Sequence, residues 1–304
     1  MATPQQDADA LRKAMKGIGC DKKAITDICS HRTNAQRLEI VKAYKASYGR
    51  DLIADLKSEL HGNYEDAIIA FFTDPIEYDA DELRKAMKGL GTNEDTLIEI
   101  IASRPAPILA QIKAKFNEKY KRDLEADVKS ETSGTLRKLL IALLQCSRST
   151  NTMPNPAQSA AIAEEIHKAG EAKLGTDESV FNKYFCSLSP HELAAVSREY
   201  HKLTGHTILQ AIDKEFSGDS KKTLRTIVYA TLSPSEYFAT RVHDAVKGLG
   251  TKDHLLIRVI VSRSEIDMPQ IKQYYKQLFG TDMYEAVKND ISGEYRELLL
   301  GIIG

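Results

Sequence analysis

Four short glycine turns and four distant acids are the residues of this chain whose types and spacing could do chemistry. The turns are Gly-Ile-Gly-Cys at 17–20, Gly-Leu-Gly-Thr at 89–92, Lys-Leu-Gly-Thr at 173–176 and Gly-Leu-Gly-Thr at 248–251. Glycine lacks a Cβ, so such a turn lets the main chain bend sharply and aim several carbonyl oxygens at one place. Forty residues beyond the anchoring Gly19, Gly91, Gly175 and Gly250 stand Glu59, Glu131, Glu215 and Asp290, acidic in all four cases. Carbonyls joined by a carboxylate are hard oxygen donors and suit calcium, which takes six to eight oxygens in flexible geometry; three carbonyls and one bidentate carboxylate supply about five. One to three places stay open, and phosphate oxygens of a lipid headgroup fit them. A site with one carboxylate is weak alone, in the ~10⁻⁴ to 10⁻³ M class, but ion and membrane would raise each other's affinity because linkage is reciprocal. The same residues also fit a purely structural role, with Gly ending one helix and Thr92 with Asp95, or Thr176 alone, capping the next.

Either role needs rigid elements around the turns, and the chain supplies them by repetition. The heptapeptide Leu-Arg-Lys-Ala-Met-Lys-Gly occurs at 11–17 and again, unchanged, at 83–89, which marks a duplication. The anchoring glycines are 72, 84 and 75 residues apart, so each unit has about seventy residues, with extra chain between the second and third. Related octapeptides keep register at 25–32, 97–104, 181–188 and 256–263, and a further glycine follows each time at Gly62, Gly134, Gly218 and Gly293. Apolar residues recur at three and four, as in Leu52, Leu56 and Leu60 or Leu124 and Val128, which is helical spacing. The expected fold is all-α: four homologous repeats, each of four or five short helices joined by tight turns. Expected boundaries are a short tail at 1–7, repeats at 8–75, 80–147, 159–232 and 235–304, and a linker at 148–158 whose Asn151, Pro154, Asn155 and Pro156 are turn residues.

Composition narrows the function classes. Lys and Arg number 42 against 43 Asp and Glu, a formal charge of -1, so no global field drives the chain onto nucleic acid or an anionic membrane. A membrane must then be met by a local device or a bridging ion. The start, MATPQQDADA, lacks the basic and apolar regions of a signal peptide. No apolar run is long enough to span a bilayer. Cys20, Cys29, Cys146 and Cys186 form no CxxC pair and read as reduced thiols, so a cytoplasmic location is expected. The GxSxG, HExxH, GxxxxGK[ST] and GxGxxG signatures and the twelve-residue EF-hand loop are absent from the sequence, and a non-enzymatic role is expected.

Over residues 8–304 these features resemble an annexin. Members of that family carry four repeats of this length with Met-Lys-Gly-x-Gly-Thr followed about forty residues later by Glu or Asp, a pattern that Met87 to Thr92 with Glu131 matches residue for residue. The resemblance implies a slightly curved all-helical disc whose convex face carries Ca2+ sites that bind acidic phospholipids reversibly. It implies carbonyl ligands from Met15, Gly17 and Gly19 with Glu59; from Met87, Gly89 and Gly91 with Glu131; and from Val246, Gly248 and Gly250 with Asp290. The third repeat has a longer loop, and the family variant there implies the carbonyls of Gly170, Lys173 and Gly175 with Glu215. In the first repeat Cys20 replaces the usual Thr and Lys22 an acid, which should weaken any accessory ion beside the main site. A minor site resembling Lys57, Leu60 and Glu65 is expected in the first repeat only, because Arg137, Lys221 and Arg296 stand at the position of Glu65 in the others.

Further residues ride on the same frame. Ile18, Leu90, Leu174 and Leu249 sit at the loop tips, placed either to dip into headgroups or to fold back, beside Lys16, Lys88, Lys173 and Lys247. At one structural position stand Asp27, Glu99, Lys183 and Arg258, which could pair between repeats. The resemblance supports Glu99 with Arg258, lining a polar centre in a structural role. The expected function is calcium-dependent, reversible binding to acidic phospholipid such as phosphatidylserine, for membrane organisation, repair or vesicle traffic. The resemblance leaves room for a cytoskeletal or other protein partner and for self-assembly on membranes. The alternative is a calcium-independent helical scaffold for such partners.

Overall fold

A computed structural model describes residues 2–17 and 19–304. Among the described residues there are twenty helices and no strand, five helices to a repeat. The first repeat holds α1 (Pro4–Ala14), α2 (Lys22–Ser30), α3 (Asn34–Tyr48), α4 (Leu52–Glu59) and α5 (Gly62–Phe71). The second holds α6 (Pro75–Ala86), α7 (Glu94–Ser103), α8 (Ala106–Tyr120), α9 (Leu124–Glu131) and α10 (Gly134–Leu144). The third holds α11 (Pro156–Ala169), α12 (Glu178–Ser187), α13 (Pro190–Thr204), α14 (Ile208–Glu215) and α15 (Gly218–Leu232). The fourth holds α16 (Pro234–Val246), α17 (Asp253–Arg263), α18 (Met268–Phe279), α19 (Met283–Asp290) and α20 (Gly293–Ile303).

Helix α1 starts inside the segment read as a tail. Thr3 accepts the Gln6 N–H while Gln6 Oε1 accepts the Thr3 N–H at 2.9 Å, a capping box that, with Pro4 at the first helical position, nucleates the helix there. The expected linker is non-helical up to Asn155 and is tied down. Arg148 donates to Thr231 Oγ1 and to the Phe185 carbonyl, and Ser149 N–H donates to the Ser187 carbonyl.

Two compact units form, Met1–Tyr78 with Phe238–Gly304, and Asp79–Tyr237. The first is thus made of repeats one and four, the second of repeats two and three. Inside the first, α2 packs on α20 and α17 on α5; inside the second, α12 packs on α10 and α7 on α15. The pairing is the same in both: the second helix of each repeat lies against the fifth of its partner. A single repeat by itself would leave those faces bare. Gly301 shows how close the approach is, since a Cβ there would lie 3.1 Å from the Cβ of Ser30. In the second unit one buried cluster runs from Ala102 and Leu139 through Phe181, Phe185 and Phe216.

Buried polar groups stitch the first unit together. Arg37, 2% exposed, donates to the carbonyls of Phe71 at 2.8 Å, Cys29 at 2.8 Å and Arg32 at 2.5 Å, and pairs with Glu265 at 3.2 Å. Each carbonyl orphaned by its loss costs about 1–3 kcal/mol. Arg37→Ala is expected to lower stability by about 3–5 kcal/mol in urea unfolding, and a loss under ~1 kcal/mol would mean that water replaces the guanidinium. Of the four residues expected to pair between repeats, Glu99 and Arg258 are buried, each in its own unit. Asp27 and Lys183 are exposed and use local partners, Lys23 and Glu165.

Candidate metal centres

The loop between the first two helices of each repeat is closed by one recurrent hydrogen bond. The N–H that opens the second helix returns to an alanine carbonyl in the last turn of the first: Asp21 to Ala14 at 2.9 Å, Asn93 to Ala86 at 2.8 Å, Asp177 to Ala169 at 2.7 Å and Lys252 to Ala245 at 2.8 Å. The main chain between is forced through left-handed conformations. Gly89 and Gly248 have φ of 110° and 105°, and open space surrounds the position a Cβ would take, so glycine is required by the backbone and not by packing. Among the described residues nothing donates to the carbonyls of Met87, Gly89 and Gly91, or to those of Val246, Gly248 and Gly250. These oxygens are among the uncommitted acceptors of their loops. In the first repeat Met15 is the C-cap of α1, and Gly17 and Gly19 have φ of 116° and 79°. Ile18, between them, lies outside the described residues.

The acid forty residues on is held at the loop by a hydroxyl. Thr92 Oγ1 donates to Glu131 Oε2 at 2.8 Å, Thr176 Oγ1 to Glu215 Oε2 at 2.6 Å and Thr251 Oγ1 to Asp290 Oδ2 at 2.5 Å. These threonines are therefore not the helix caps that the structural alternative assigned to Thr92 and Thr176. Asn93 and Asp177, one residue later, do that work. Each acid stands at the end of its helix, α4, α9, α14 or α19. In the third repeat the fit is tightest: Gly170, the C-cap of α11, is buried, and a Cβ there would lie 3.2 Å from Glu215 Cγ. Its carbonyl accepts the Lys173 N–H at 3.0 Å with one lone pair, leaving the other. Among the described residues nothing donates to the carbonyls of Lys173 and Gly175.

The first repeat departs from the others. Cys20 Sγ lies 3.8 Å from the Glu59 main-chain carbonyl, and among the described residues no hydroxyl reaches the Glu59 carboxylate. The acid there lacks the bond that orients it in the other three. Cys20→Thr is expected to restore that bond and tighten calcium at this loop about fivefold, the worth of one ordinary net hydrogen bond. The measurement is a calcium titration of a chain in which Glu131, Glu215 and Asp290 have been neutralised, and unchanged affinity would contradict it.

Sequence reasoning passed over the groups that hold the acid-bearing helices. In the first repeat Arg50 clasps Asp55 of α4 at 2.8 and 2.5 Å, and Tyr44 donates to the same carboxylate at 2.7 Å. The Arg50 guanidinium holds the Asp55 carboxyl below the usual carboxylate range, outweighing burial. Arg122 and Asp127 of α9 repeat the clasp at 2.7 Å. The signal was present as Arg-Asp-Leu at 50–52 and 122–124, each followed by Asp at the same spacing. In the third repeat Glu171 substitutes for the clasp. Burial raises its pKa, but Tyr200, Lys214 and His206 bring it below the usual range.

Leu90, Leu174 and Leu249, at the loop tips, are fully exposed and do not fold back on their own helices. Lys16, Lys88 and Lys173 are exposed beside them, while Lys247 pairs with Asp244. Among the described residues no three His, Cys, Asp or Glu side chains form a group that could hold a metal ion. Of the residues of the expected minor site, Lys57 lies in the last turn of α4, Leu60 is its C-cap and Glu65 lies in the first turn of α5.

The annexin family model matches residues 6–71, 78–143, 162–227 and 237–302, one match to each five-helix repeat. The chain belongs to the annexin family. Annexin A11 of rabbit (Oryctolagus cuniculus) is 44% identical over 301 residues, 99% of this annexin and 60% of that protein. Human annexin A4 is 44% identical over 299 residues, 98% of this annexin and 94% of that protein. This annexin therefore spans about 60% of the length of some curated relatives and nearly all of others. Among solved structures, annexin III superposes with a TM-score of 0.97 at 40% identity, covering 100% of this chain and 94% of that one. A calcium-bound annexin (Sm)1 superposes at 0.88 with 31% identity, covering 99% and 90%. Among the described residues of this annexin no helix is long and apolar enough to cross a membrane.

Proposed function

We propose that this annexin binds calcium at its four glycine loops and, through the bound ions, bridges reversibly to acidic phospholipid. The observations that support the reading are a glycine loop whose Met87, Gly89 and Gly91 carbonyls accept no hydrogen bond among the described residues, and the Glu131 carboxylate that Thr92 holds at that loop. The ligand sets are those carbonyls and Glu131; Met15, Gly17, Gly19 and Glu59; Gly170, Lys173, Gly175 and Glu215; and Val246, Gly248, Gly250 and Asp290. Each offers about five oxygens and leaves room for phosphate oxygens to complete the shell. The exposed leucines enter the headgroup region, and the lysines beside them favour an anionic surface by ~1 kcal/mol each. Weak sites then act together through avidity, as a non-enzymatic, peripheral device for membrane organisation, repair or vesicle traffic.

Reciprocity makes the reading testable. The apparent calcium affinity, measured by titration, is expected to rise at least about a hundredfold when phosphatidylserine vesicles are present, because lipid phosphate completes the ion's shell. Equal affinity with and without vesicles would contradict the bridge. Magnesium is expected to support little binding, since it demands compact octahedral geometry and keeps its water. Equal sedimentation in magnesium would mean charge screening instead of ligation.

A further inference from the structure

The third glycine loop is built differently from the other three. Between Gly170 and Lys173 stand Glu171 and Ala172, where the other repeats carry the single lysines Lys16, Lys88 and Lys247. With one residue more in the loop, Glu171 turns inward. Its side chain is 5% exposed, so the carboxylate needs donors, and it has three. Tyr200 Oη of α13 donates to Glu171 Oε2 at 2.7 Å, Lys214 Nζ of α14 donates to Oε1 at 3.2 Å, and His206 Nδ1, in the turn between those helices, lies 3.2 Å from Oε1. Lys214 immediately precedes Glu215, the acid of the same loop. In the first repeat the matching donors do something else. Tyr44 and Arg50 stand where the third repeat has Tyr200 and His206, and both hold Asp55 on α4. The residue that matches Asp55 in the third repeat is Ala211. The buried acid has moved from the fourth helix into the loop, and its donors hold the loop instead of the helix.

We propose that Glu171 is a positioning residue: through Tyr200, Lys214 and His206 it fastens the third loop to the helices that present Glu215, so that the loop keeps its ligand geometry before an ion arrives. The inference rests on the calcium reading of that loop. Every partner in the tether is a protein group, so the tether does not depend on calcium. Ordering a flexible loop is part of the cost of binding, and here the fold has ordered it in advance. Gly170 works with the tether, because a Cβ there would lie 3.2 Å from Glu215 Cγ, which shows the loop packed directly on its acid.

The test uses a chain in which Glu59, Glu131 and Asp290 are neutralised, so that the third loop alone is titrated with terbium, a luminescent ion of calcium-like size. Glu171→Gln is expected to weaken terbium about tenfold, the low end of what outer-shell partners contribute to a bound metal. That variant also removes a negative charge, and two others separate the tether from the charge. Tyr200→Phe removes a donor and no charge, and is expected to weaken binding about threefold, the worth of one net hydrogen bond. Lys214→Met removes a positive charge, which by electrostatics alone would tighten terbium, whereas loss of the tether weakens it. In the ion-free chain the amides of Ala172 and Lys173, which donate to the carbonyls of His167 and Gly170, are expected to exchange hydrogen faster in all three variants. Circular dichroism checks folding, and should Tyr200→Phe or Lys214→Met fail to fold, the other carries the test. Terbium affinity equal to or tighter than the parent's in the folded variants, or unchanged amide exchange, would overturn the tether. A parent that binds no terbium would refute the calcium reading of the loop, while amide exchange, which needs no ion, still decides whether Glu171 fastens it.

Discussion

Replacing Glu59, Glu131 and Glu215 by Gln and Asp290 by Asn in one chain abolishes calcium-dependent sedimentation with phosphatidylserine vesicles and leaves the helical circular dichroism signal unchanged. Each substitution removes the only carboxylate that the proposed site contains. Outer-shell partners of a metal are already worth about 10–100-fold in affinity, so an inner ligand that carries the site's only negative charge is worth more. The fold is spared because the amides keep the size of the acids and still accept from Thr92, Thr176 and Thr251, whose hydroxyls lie 2.8, 2.6 and 2.5 Å from the acids in the native chain. Neutralising Glu59 and Asp290 alone disarms the unit built from the first and fourth repeats, and binding through Glu131 and Glu215 in the other unit then remains, at lower affinity. Retained sedimentation in the fourfold variant would reject the assigned ligands.

The second large effect separates the lipid from the ion. Leu90, Leu174 and Leu249 stand fully exposed at the loop tips, where apolar side chains are unfavourable in water and gain by entering a headgroup region. A leucine moved completely out of water is worth on the order of tenfold or more in affinity. Replacing all three by Ala is expected to weaken vesicle binding roughly a hundredfold at fixed calcium. Terbium binding by the same variant in solution should be unchanged, because the ligands next to each leucine are main-chain oxygens. A variant that binds vesicles like the parent would mean that the tips stay in water and that the bridging ions act alone.

Much of the architecture was legible because it is written in local periodicity. The apolar spacing of Leu52, Leu56 and Leu60 marks a helix wherever it is read, and the glycine turns recur with the acids in register. The start of α1 was legible too, as Thr3, Pro4 and Gln6, but a polar segment at a chain end looks like a tail until its hydrogen bonds are seen. The partnership of the first repeat with the fourth was not legible. All four repeats carry similar helix faces, and periodicity along a chain says nothing about which faces meet. At the candidate sites the residue types were right and the finer chemistry was hidden. Thr92 fits a helix cap as well as a donor to Glu131, and only the fold brings residues 39 apart in sequence within 2.8 Å. For the same reason the basic residues Arg137 and Lys221 were visible as departures from Glu65, while the main-chain carbonyls of Thr132 and Asp213 to which they donate were not.

The central claim is the calcium bridge, and co-sedimentation of the full chain with phosphatidylserine vesicles, first with calcium and then with excess chelator, tests it most directly. The account predicts that the protein pellets with the vesicles in calcium and returns to the supernatant when the ion is withdrawn. Binding that persists in chelator, or no binding at any calcium concentration, would contradict it.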